Sequence, residues 1–324
     1  MAAFPAKEEL TICFAHVAYR MAERFAARNT GIRHFQVNSL EELTVRIGDA
    51  DVLSVSMMWR NSLIARAPKL KFIQSISAGT DQYSREALKA ANIRLASAQG
   101  VNARAVAEHA MSLILAMSRQ LHFARDNQVK HHWRGMISDL SKREDELGGK
   151  TLLVVGLGRI GSHLAGLARA FGMRVIATKR DPGSGFESAD DVFSQGRLAE
   201  VLPLADYVAL TCPLTPQTEG LINAQALSRM KPSAFLINVS RGKVVDEPAL
   251  LDALSQGRIA GAGLDCTVDE PLPAASPLWD VPNVLITPHT AGETRAYEDN
   301  VIDLLLENLD RLWRGETELK NGIV

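Results

Sequence analysis

The sequence predicts an α/β protein made of two doubly wound parallel-sheet domains, and three observations lead to that prediction. Short apolar runs alternate with longer amphipathic runs along most of the chain, which is the rhythm of repeated βα units. The rhythm restarts at Thr151, after a long amphipathic helix. The chain of 324 residues is also long enough for two domains that each bury a hydrophobic core.

The first array of predicted elements is a set of short strands and helices in alternation. Its strands are expected at residues 10–15, 33–37, 52–56, 72–76 and 93–96, and its short helices at 18–28, 40–47 and 85–91. A long helix then runs from Asn102, which is suited to cap its start, to Gln120.

The second array has the same alternating character. Its strands are expected at residues 152–155, 174–178, 207–210, 234–239, 261–264 and 284–287, and its helices at 160–171 and 295–313. We expect the last helix to pack back onto the first domain. The predicted domains are therefore residues 1–99 with 293–324, and residues 100–292 between them.

The bulk composition restricts the partners and the compartment. A formal net charge of −1 gives no electrostatic reason to expect nucleic acid or anionic lipid as a partner. No apolar run approaches the roughly 20 residues of a membrane span, and no signal peptide is visible at the start. The three cysteines form no CxxC pair, which favours reduced thiols and a cytoplasmic location. The adjacent pair His131-His132 cannot face one metal ion from a helix, so no metal site is expected.

A glycine-rich turn lies between a predicted strand and a predicted helix. Gly156, Gly158 and Gly161 form the pattern GxGxxG, with Arg159 and Ile160 opening the helix. In that context the first glycine permits a tight turn, the second lets the backbone approach a pyrophosphate, and the third lets helix and strand pack closely. The helix N-terminus then favours the diphosphate. The turn predicts a nicotinamide dinucleotide site; the alternative is a strand–turn–helix unit without ligand.

The end of the next strand bears on the choice of cofactor. An acid at this point binds the adenosine ribose of NAD and repels the 2′-phosphate of NADP. Here the strand ends in Thr178, Lys179 and Arg180, which favours NADP. Asp181 follows directly, and a small shift of the turn would bring it to the ribose, so NAD remains the alternative.

Polar side chains follow three predicted strands of the second array. Arg241, Glu270 and His289 lie after the strands at 234–239, 261–264 and 284–287, respectively. Ligands of open α/β sheets bind beyond the carboxyl ends of the strands, so these groups are expected to converge. An arginine can clamp a carboxylate, a histidinium can deliver a proton to a forming alkoxide, and a glutamate can orient that histidine. Taken one at a time, these three residues could each have a structural role. The other histidines, among them His109, are interpreted as structural.

Four motifs in order carry a resemblance to one family. They are residues 238–246 (NVSRGKVVD), 263–265 (GLD), 270–273 (EPLP) and 287–292 (TPHTAG). With the glycine turn they resemble the signatures of the D-isomer-specific 2-hydroxyacid dehydrogenases. The resemblance is dense from about Gly100 to Gly292 and looser before it. It implies a Rossmann coenzyme domain inserted in a flavodoxin-like substrate domain, and a homodimer.

The resemblance also implies roles for individual residues. Arg241 would bind the substrate carboxylate, His289 would be the acid/base and Glu270 its partner. Asp265 would hold the nicotinamide carboxamide. The remaining implied contacts are Cys212, Pro213 and Gly292 for the cofactor and the Ala78 and Gly79 amides for the substrate carboxylate.

The sequence departs from the family pattern at three places. Lys179 replaces the acid common in NAD-using members, and Thr211 stands where relatives often have histidine. Trp59 lies in the region that usually shapes the substrate pocket and is expected to limit what fits there.

The function expected is reduction of a small 2-keto acid, such as glyoxylate or hydroxypyruvate, to the D-2-hydroxy acid. NADP(H) is favoured as cofactor and NAD(H) is possible. One alternative is a phosphoglycerate dehydrogenase without a regulatory domain. Another, from a different class, is a dinucleotide-sensing binding protein of the corepressor type.

Overall fold

The computed structural model describes residues 4–183 and 188–324, which form two compact units. Unit 1 comprises Met1–Asn102 and Thr294–Val324, and unit 2 comprises Ala103–Glu293. These boundaries lie a few residues from those expected near residues 100 and 292. Within the described ranges no helix combines the length and the apolar character that crossing a bilayer requires.

Unit 1 contains a parallel sheet whose strands match the expected ones to within a residue at either end. They are β1 (Thr11–Ala15), β2 (Arg33–Val37), β3 (Val52–Val55), β4 (Phe72–Ser75) and β5 (Arg94–Ala96). Their order among the described residues is β2-β1-β3-β4-β5, with every pair parallel. That is the flavodoxin-like order of a doubly wound sheet.

Unit 2 contains a second parallel sheet. Its strands are β6 (Thr151–Val155), β7 (Arg174–Lys179), β8 (Asp191–Ser194), β9 (Tyr207–Leu210), β10 (Phe235–Asn238), β11 (Gly261–Leu264) and β12 (Val284–Ile286). The order of these described strands is β12-β11-β10-β9-β6-β7-β8, so the winding reverses between β6 and β9. This is the Rossmann order with one added strand, and its switch point lies beside the strand that precedes the glycine turn.

The two sheets are accompanied by ten α-helices among the described residues. They are α1 (Met21–Ala26), α2 (Leu40–Arg46), α3 (Arg85–Ala90), α4 (Ala103–Ser118), α5 (Leu121–Val129), α6 (Arg159–Ala170), α7 (Leu198–Val201), α8 (Ala224–Leu227), α9 (Glu247–Ser255) and α10 (Tyr297–Trp313). The first is shorter than the expected 18–28, because the ring of His16 accepts hydrogen bonds from the Ala18 and Tyr19 amides and holds that stretch in a turn. The strand β8 and the helices α5, α7, α8 and α9 were not expected from the sequence.

Each unit has its own core. In unit 1 the apolar face of α10, including Val301, Leu305 and Leu309, packs with Phe14 and Phe25. In unit 2 one face of the sheet packs on α4 and α6, where Ile114, Leu164 and Leu152 are fully buried. The expectation of two parallel-sheet α/β domains is confirmed.

Candidate active site

In the glycine turn of unit 2, residues 156–161, the space available for a side chain differs from one glycine to the next. Gly156 has φ +102°, and a Cβ there would lie 2.7 Å from backbone atoms of Cys212. A Cβ on Gly161 would lie 2.6 Å from the Gly156 carbonyl oxygen, whereas a Cβ on Gly158 would meet nothing within 4 Å. The turn is thus tight at both ends and open in the middle, where a ligand can approach.

Neighbouring strands fix this turn. The amides of Gly156 and Leu157 donate to the Thr178 carbonyl at the end of β7, at 3.0 and 3.2 Å. The Thr211 hydroxyl, after β9, donates to the Gly156 carbonyl at 2.8 Å. Gly158 caps α6 without a side chain. Because first-turn amides have no acceptor within a helix, the start of α6 can donate to an anion in the open space.

The end of β7 presents cations. Thr178 is 1% exposed, and its hydroxyl has no hydrogen-bond partner among the described residues. Lys179 is half-buried and Arg180 is exposed. Asp181 accepts a hydrogen bond from the Gly183 amide at 3.1 Å. The turn fits the diphosphate of a dinucleotide, and the end of β7 presents the exposed cation of Arg180.

After β9 the chain runs closely past the glycine turn. Cys212 is 8% exposed, and burial raises the pKa of its thiol to about 11, so the sulfur is neutral at physiological pH. Pro213 follows it and accepts a hydrogen bond from the Thr218 hydroxyl through its carbonyl. This wall beside the turn is apolar and uncharged.

The loops after β10, β11 and β12 form the acid–base edge, defined here as residues 238–242, 265–270 and 287–292. These strands are neighbours in the sheet, so the loops leave it side by side. Arg241 is exposed, and the Asn238 side-chain amide donates to its carbonyl at 3.1 Å. A Cβ on Gly242 would lie 2.0 Å from the carbonyl group of Thr267, so the first two loops are in close backbone contact.

Glu270 and His289 form a direct pair. The Glu270 Oε2 lies 2.8 Å from Nδ1 of the His289 ring, and both side chains are partly exposed. The other Glu270 oxygen accepts a hydrogen bond from the Thr267 amide at 3.1 Å. Since one ring nitrogen of His289 faces the carboxylate, the Nε2 atom is the one left for chemistry.

Asp265, at the end of β11, is 2% exposed. Its Oδ1 accepts from the Thr287 hydroxyl at 2.6 Å and from the Thr290 amide at 3.1 Å, and its Oδ2 accepts from the Ala291 amide at 3.1 Å. Burial alone would raise the pKa of Asp265, but hydrogen bonds from His109, Thr287 and Ala291 outweigh it and hold that pKa below its ordinary value. Among the described residues Oδ2 accepts from the Ala291 amide, which leaves one of its two acceptor positions for a further donor.

The residues expected to bind substrate in unit 1 differ in their exposure. Ala78 is exposed and Gly79 is half-buried, in a loop held by a hydrogen bond of 2.8 Å from the Ser77 hydroxyl to the Gly79 carbonyl. Trp59 is 1% exposed, stacks on Tyr83 at 5.6 Å and donates its indole N–H to Asn61. It therefore lies in the core of unit 1. Met57, in the same turn, is an exposed apolar side chain.

Sequence reasoning missed one polar residue of the site. His109, on α4, was interpreted as structural, yet its Nε2 lies 2.9 Å from the Thr287 hydroxyl and 3.3 Å from Asp265 Oδ1. A lone histidine on an amphipathic helix has no local signal for such a contact. Within residues 4–183 and 188–324 no three His, Cys, Asp or Glu side chains come together as a metal site would need.

Comparisons with known proteins agree with this geometry. Residues 111–291 match the model of the family "D-isomer specific 2-hydroxyacid dehydrogenase, NAD binding domain". Glyoxylate/hydroxypyruvate reductase B of Yersinia enterocolitica is 35% identical over 289 residues, which are 86% of this chain and 87% of that protein. The chain spans about half the length of the relatives named D-3-phosphoglycerate dehydrogenase, such as that of Mycobacterium tuberculosis, at 34% identity.

Solved structures show the same architecture. A D-isomer specific 2-hydroxyacid dehydrogenase family protein from Aeromonas salmonicida superposes with a TM-score of 0.85 at 29% identity, covering 98% of this chain and 99% of that one. An acyclic imino acid reductase in complex with NADPH and D-Arg superposes with a TM-score of 0.83 at 26% identity, covering 97% and 100%.

The chain belongs to the D-isomer-specific 2-hydroxyacid dehydrogenase family, whose members are oxidoreductases with an NAD-binding domain. The resemblance found in the sequence motifs is thereby confirmed.

Proposed function

We propose that this protein reduces a small 2-keto acid of the glyoxylate or hydroxypyruvate type to the D-2-hydroxy acid, with NADP(H) as the favoured cofactor. The observation that carries the proposal is the contact of 2.8 Å between Glu270 and His289 Nδ1, on the same edge of the sheet as Arg241. Such a pair delivers or removes one proton, which is what interconversion of a keto group and an alcohol needs beside a hydride.

The residues of unit 2 divide this work. A nicotinamide dinucleotide held by the glycine turn would supply or accept the hydride. His289, as the imidazolium, donates the proton on Nε2 to the substrate oxygen, and the carboxylate of Glu270 stabilises the cation and fixes the ring. Arg241 binds the substrate carboxylate through its guanidinium fork, and Asp265 accepts a hydrogen bond from the nicotinamide carboxamide.

Unit 1 contributes substrate contacts in this proposal. The exposed Ala78 and the half-buried Gly79 offer backbone amides, which suit a carboxylate. Trp59 acts on substrate choice by supporting its turn from within the core, since its own ring is buried. Met57, exposed on the same turn, is the side chain available to limit substrate size.

The preference for NADP rests on the end of β7. Lys179 and the exposed Arg180 stand where an acid would repel the 2′-phosphate, and a relative of the same architecture was solved with NADPH. NAD use is the alternative, through Asp181. The cofactor-binding set proposed is Gly156, Gly158, Arg159, Ile160, Gly161, Thr178, Lys179, Arg180, Cys212, Pro213, Asp265 and Gly292.

A second candidate is 3-phosphoglycerate dehydrogenase activity, favoured by the relatives of that name. One panel tests both functions: initial rates with glyoxylate, hydroxypyruvate, pyruvate, phenylpyruvate and phosphohydroxypyruvate, each with NADPH and with NADH. We expect the highest kcat/KM with glyoxylate or hydroxypyruvate and NADPH. A highest value with phosphohydroxypyruvate supports the second candidate, and a clear preference for NADH overturns the cofactor proposal.

The His289→Ala variant is the internal control of that panel. Loss of a general acid typically costs on the order of 10²–10⁴ in rate, while the dinucleotide affinity should stay within a few-fold because the glycine turn is untouched. Full turnover in this variant would mean that His289 is not the acid/base.

We further propose a cytoplasmic homodimer. Trp133 is 97% exposed and Leu140 is 75% exposed, on a segment of unit 2 where Met136 is also fully exposed, and apolar side chains so exposed favour contact with a second copy. The three cysteines are free and buried, as suits a reducing compartment. Light scattering should give the mass of a dimer for the wild type and of a monomer for Trp133→Glu, with Trp279→Glu as the exposed-tryptophan control.

A further inference from the structure

The acid–base edge is tied to helix α4 by a chain of hydrogen bonds. His109 Nε2 lies 2.9 Å from the Thr287 hydroxyl oxygen, and that hydroxyl lies 2.6 Å from Asp265 Oδ1. His109 also lies 3.3 Å from the same carboxylate oxygen. All three residues belong to unit 2, and none is the proton donor of the proposed reaction.

The direction of each bond follows from the number of protons. The hydrogen bonds around Asp265 hold its pKa below the ordinary value, so this carboxylate is ionised and can only accept. Thr287 has one hydroxyl proton, and at 2.6 Å it goes to Asp265. The Thr287 oxygen must then accept at its contact with the imidazole. His109 therefore carries a proton on Nε2.

The residues that bond to Asp265 lie on both sides of His289 in the sequence. Thr287 lies two residues before it, and the amides of Thr290 and Ala291, just after it, donate to the two oxygens of Asp265. Between these anchors His289 has φ +56°, a left-handed conformation that a non-glycine residue keeps only when its surroundings hold it. The anchors determine where the backbone of His289 lies, and Glu270 then determines where its ring points.

We propose that His109 is a positioning residue for catalysis: through Thr287 and Asp265 it holds the segment 287–291 so that His289 meets the substrate oxygen in the reactive geometry. The proposal rests on the proposed function, because it assigns His109 a part in the same reaction. It differs from a purely structural role, in which loss of His109 would lower stability and leave the turnover of the folded protein unchanged.

The test compares variants at two members of this chain of hydrogen bonds, His109 and Thr287. His109→Leu removes the Nε2 donor, and His109→Gln places an amide N–H near the same point. Thr287→Val removes the middle hydroxyl, and Thr287→Ser keeps it. The matched control is Glu108→Gln, an exposed neighbour on the same helix. Each variant is measured for kcat, KM, cofactor Kd by nucleotide fluorescence, and Tm.

We expect kcat to fall about tenfold to a hundredfold in His109→Leu and in Thr287→Val, since a displacement of about 1 Å at a reacting group costs on the order of a hundredfold. The cofactor Kd should change much less than kcat, because the diphosphate-binding glycine turn is not altered and Asp265 keeps its carboxylate. His109→Gln and Thr287→Ser should keep most of the activity. The double variant should lose no more than either single one, because the two residues act as a unit.

Two kinetic results overturn the proposal. One is an unchanged kcat in His109→Leu, and the other is an equal loss in His109→Gln and His109→Leu. A spectroscopic measurement that needs no turnover separates this outcome from failure of the proposed function. In long-range ¹H–¹⁵N spectra of the wild type, the His109 ring should carry its proton on Nε2. A neutral ring protonated on Nδ1 also overturns the proposal, whereas inactivity of the wild type toward every keto acid, with Nε2 protonated, tells against the proposed function alone.

Discussion

The glycine turn and the acid–base edge lie on the same sheet and are built in opposite ways. The turn is formed by the absence of side chains: Gly156 and Gly161 leave no room for a Cβ, and Gly158 leaves open space. The edge is formed by polar groups that bond to one another: Asp265 accepts from the Thr287 hydroxyl and from the backbone amides of Thr290 and Ala291.

The difference follows from what each region does. A diphosphate needs backbone amides and room to approach, and glycine supplies both. Proton transfer needs a ring held in one orientation, which here requires both the contact with Glu270 and the hydrogen bonds that hold the segment 287–291. Local sequence therefore specifies the first region, whereas residues far apart in the chain specify the second.

Among the glycine variants the largest effect is expected at Gly242, one of the two glycines of the acid–base edge. In Gly242→Ala the new Cβ would lie 2.0 Å from the Thr267 carbonyl group, so the loops that carry Arg241 and Glu270 must separate. We expect kcat/KM to fall on the order of a hundredfold and Tm to fall by several degrees. Steady-state kinetics and thermal unfolding measure both.

The control for this variant is Gly196→Ala. Gly196 lies in unit 2 with nothing within 4 Å of its Cβ position, and it should behave as the wild type does. If Gly242→Ala were equally active, the close backbone contact would be dispensable, and side chains alone would account for the acid–base edge.

The next effect concerns ligand affinity without a change in the fold. In Gly158→Ala the added methyl group meets no protein atom, so Tm should stay within about a degree of the wild type. The methyl group occupies the space that the diphosphate needs, and we expect the dinucleotide Kd to rise about tenfold or more. Nucleotide fluorescence titration measures this change.

Gly166→Ala is the matched control, since Gly166 lies on the same helix α6 and is also open. Alanine should stabilise that helix slightly and leave the Kd unchanged. An unchanged Kd in Gly158→Ala would show that the open space of the turn is not where the cofactor binds.

The sequence allowed most of the fold to be predicted, because each buried parallel strand is a short apolar run that needs no knowledge of its neighbours. The strand β8 is the exception: it lies at the sheet edge, its four residues are at most half-buried, and its sequence Asp191–Ser194 has little apolar signal. The helix α9 was also missed, although Asp246 caps it and Pro248 occupies its first turn.

The candidate site divides in the same way. Arg241, Glu270 and His289 could be placed together because parallel strands end at one edge. The contact of His109 with Thr287 joins residues 178 apart in the sequence, and no periodicity or motif links them. Trp59 is the opposite case: its place in the sequence predicts a residue at the substrate pocket, but the local sequence gives no sign that Tyr83 stacks on its ring.

The smallest expected effect is on the pH dependence of stability, and it tests whether the acid–base edge depends on the charge of Asp265. The pKa of this carboxyl is lowered in the folded protein, so its ionised form stabilises the fold above the ordinary pKa of an aspartate, and that contribution is lost as the pH falls through the folded pKa. At pH 7 we expect the Tm of Asp265→Asn to lie a few degrees below that of the wild type. The difference should narrow as the pH is lowered from 5 toward 3, because the wild type loses the charge that the variant lacks.

Asp246→Asn keeps an N-cap acceptor on α9 and serves as the control. If the Tm difference between the wild type and Asp265→Asn stayed constant down to pH 3, the shape of the side chain, rather than its charge, would hold the segment 287–291.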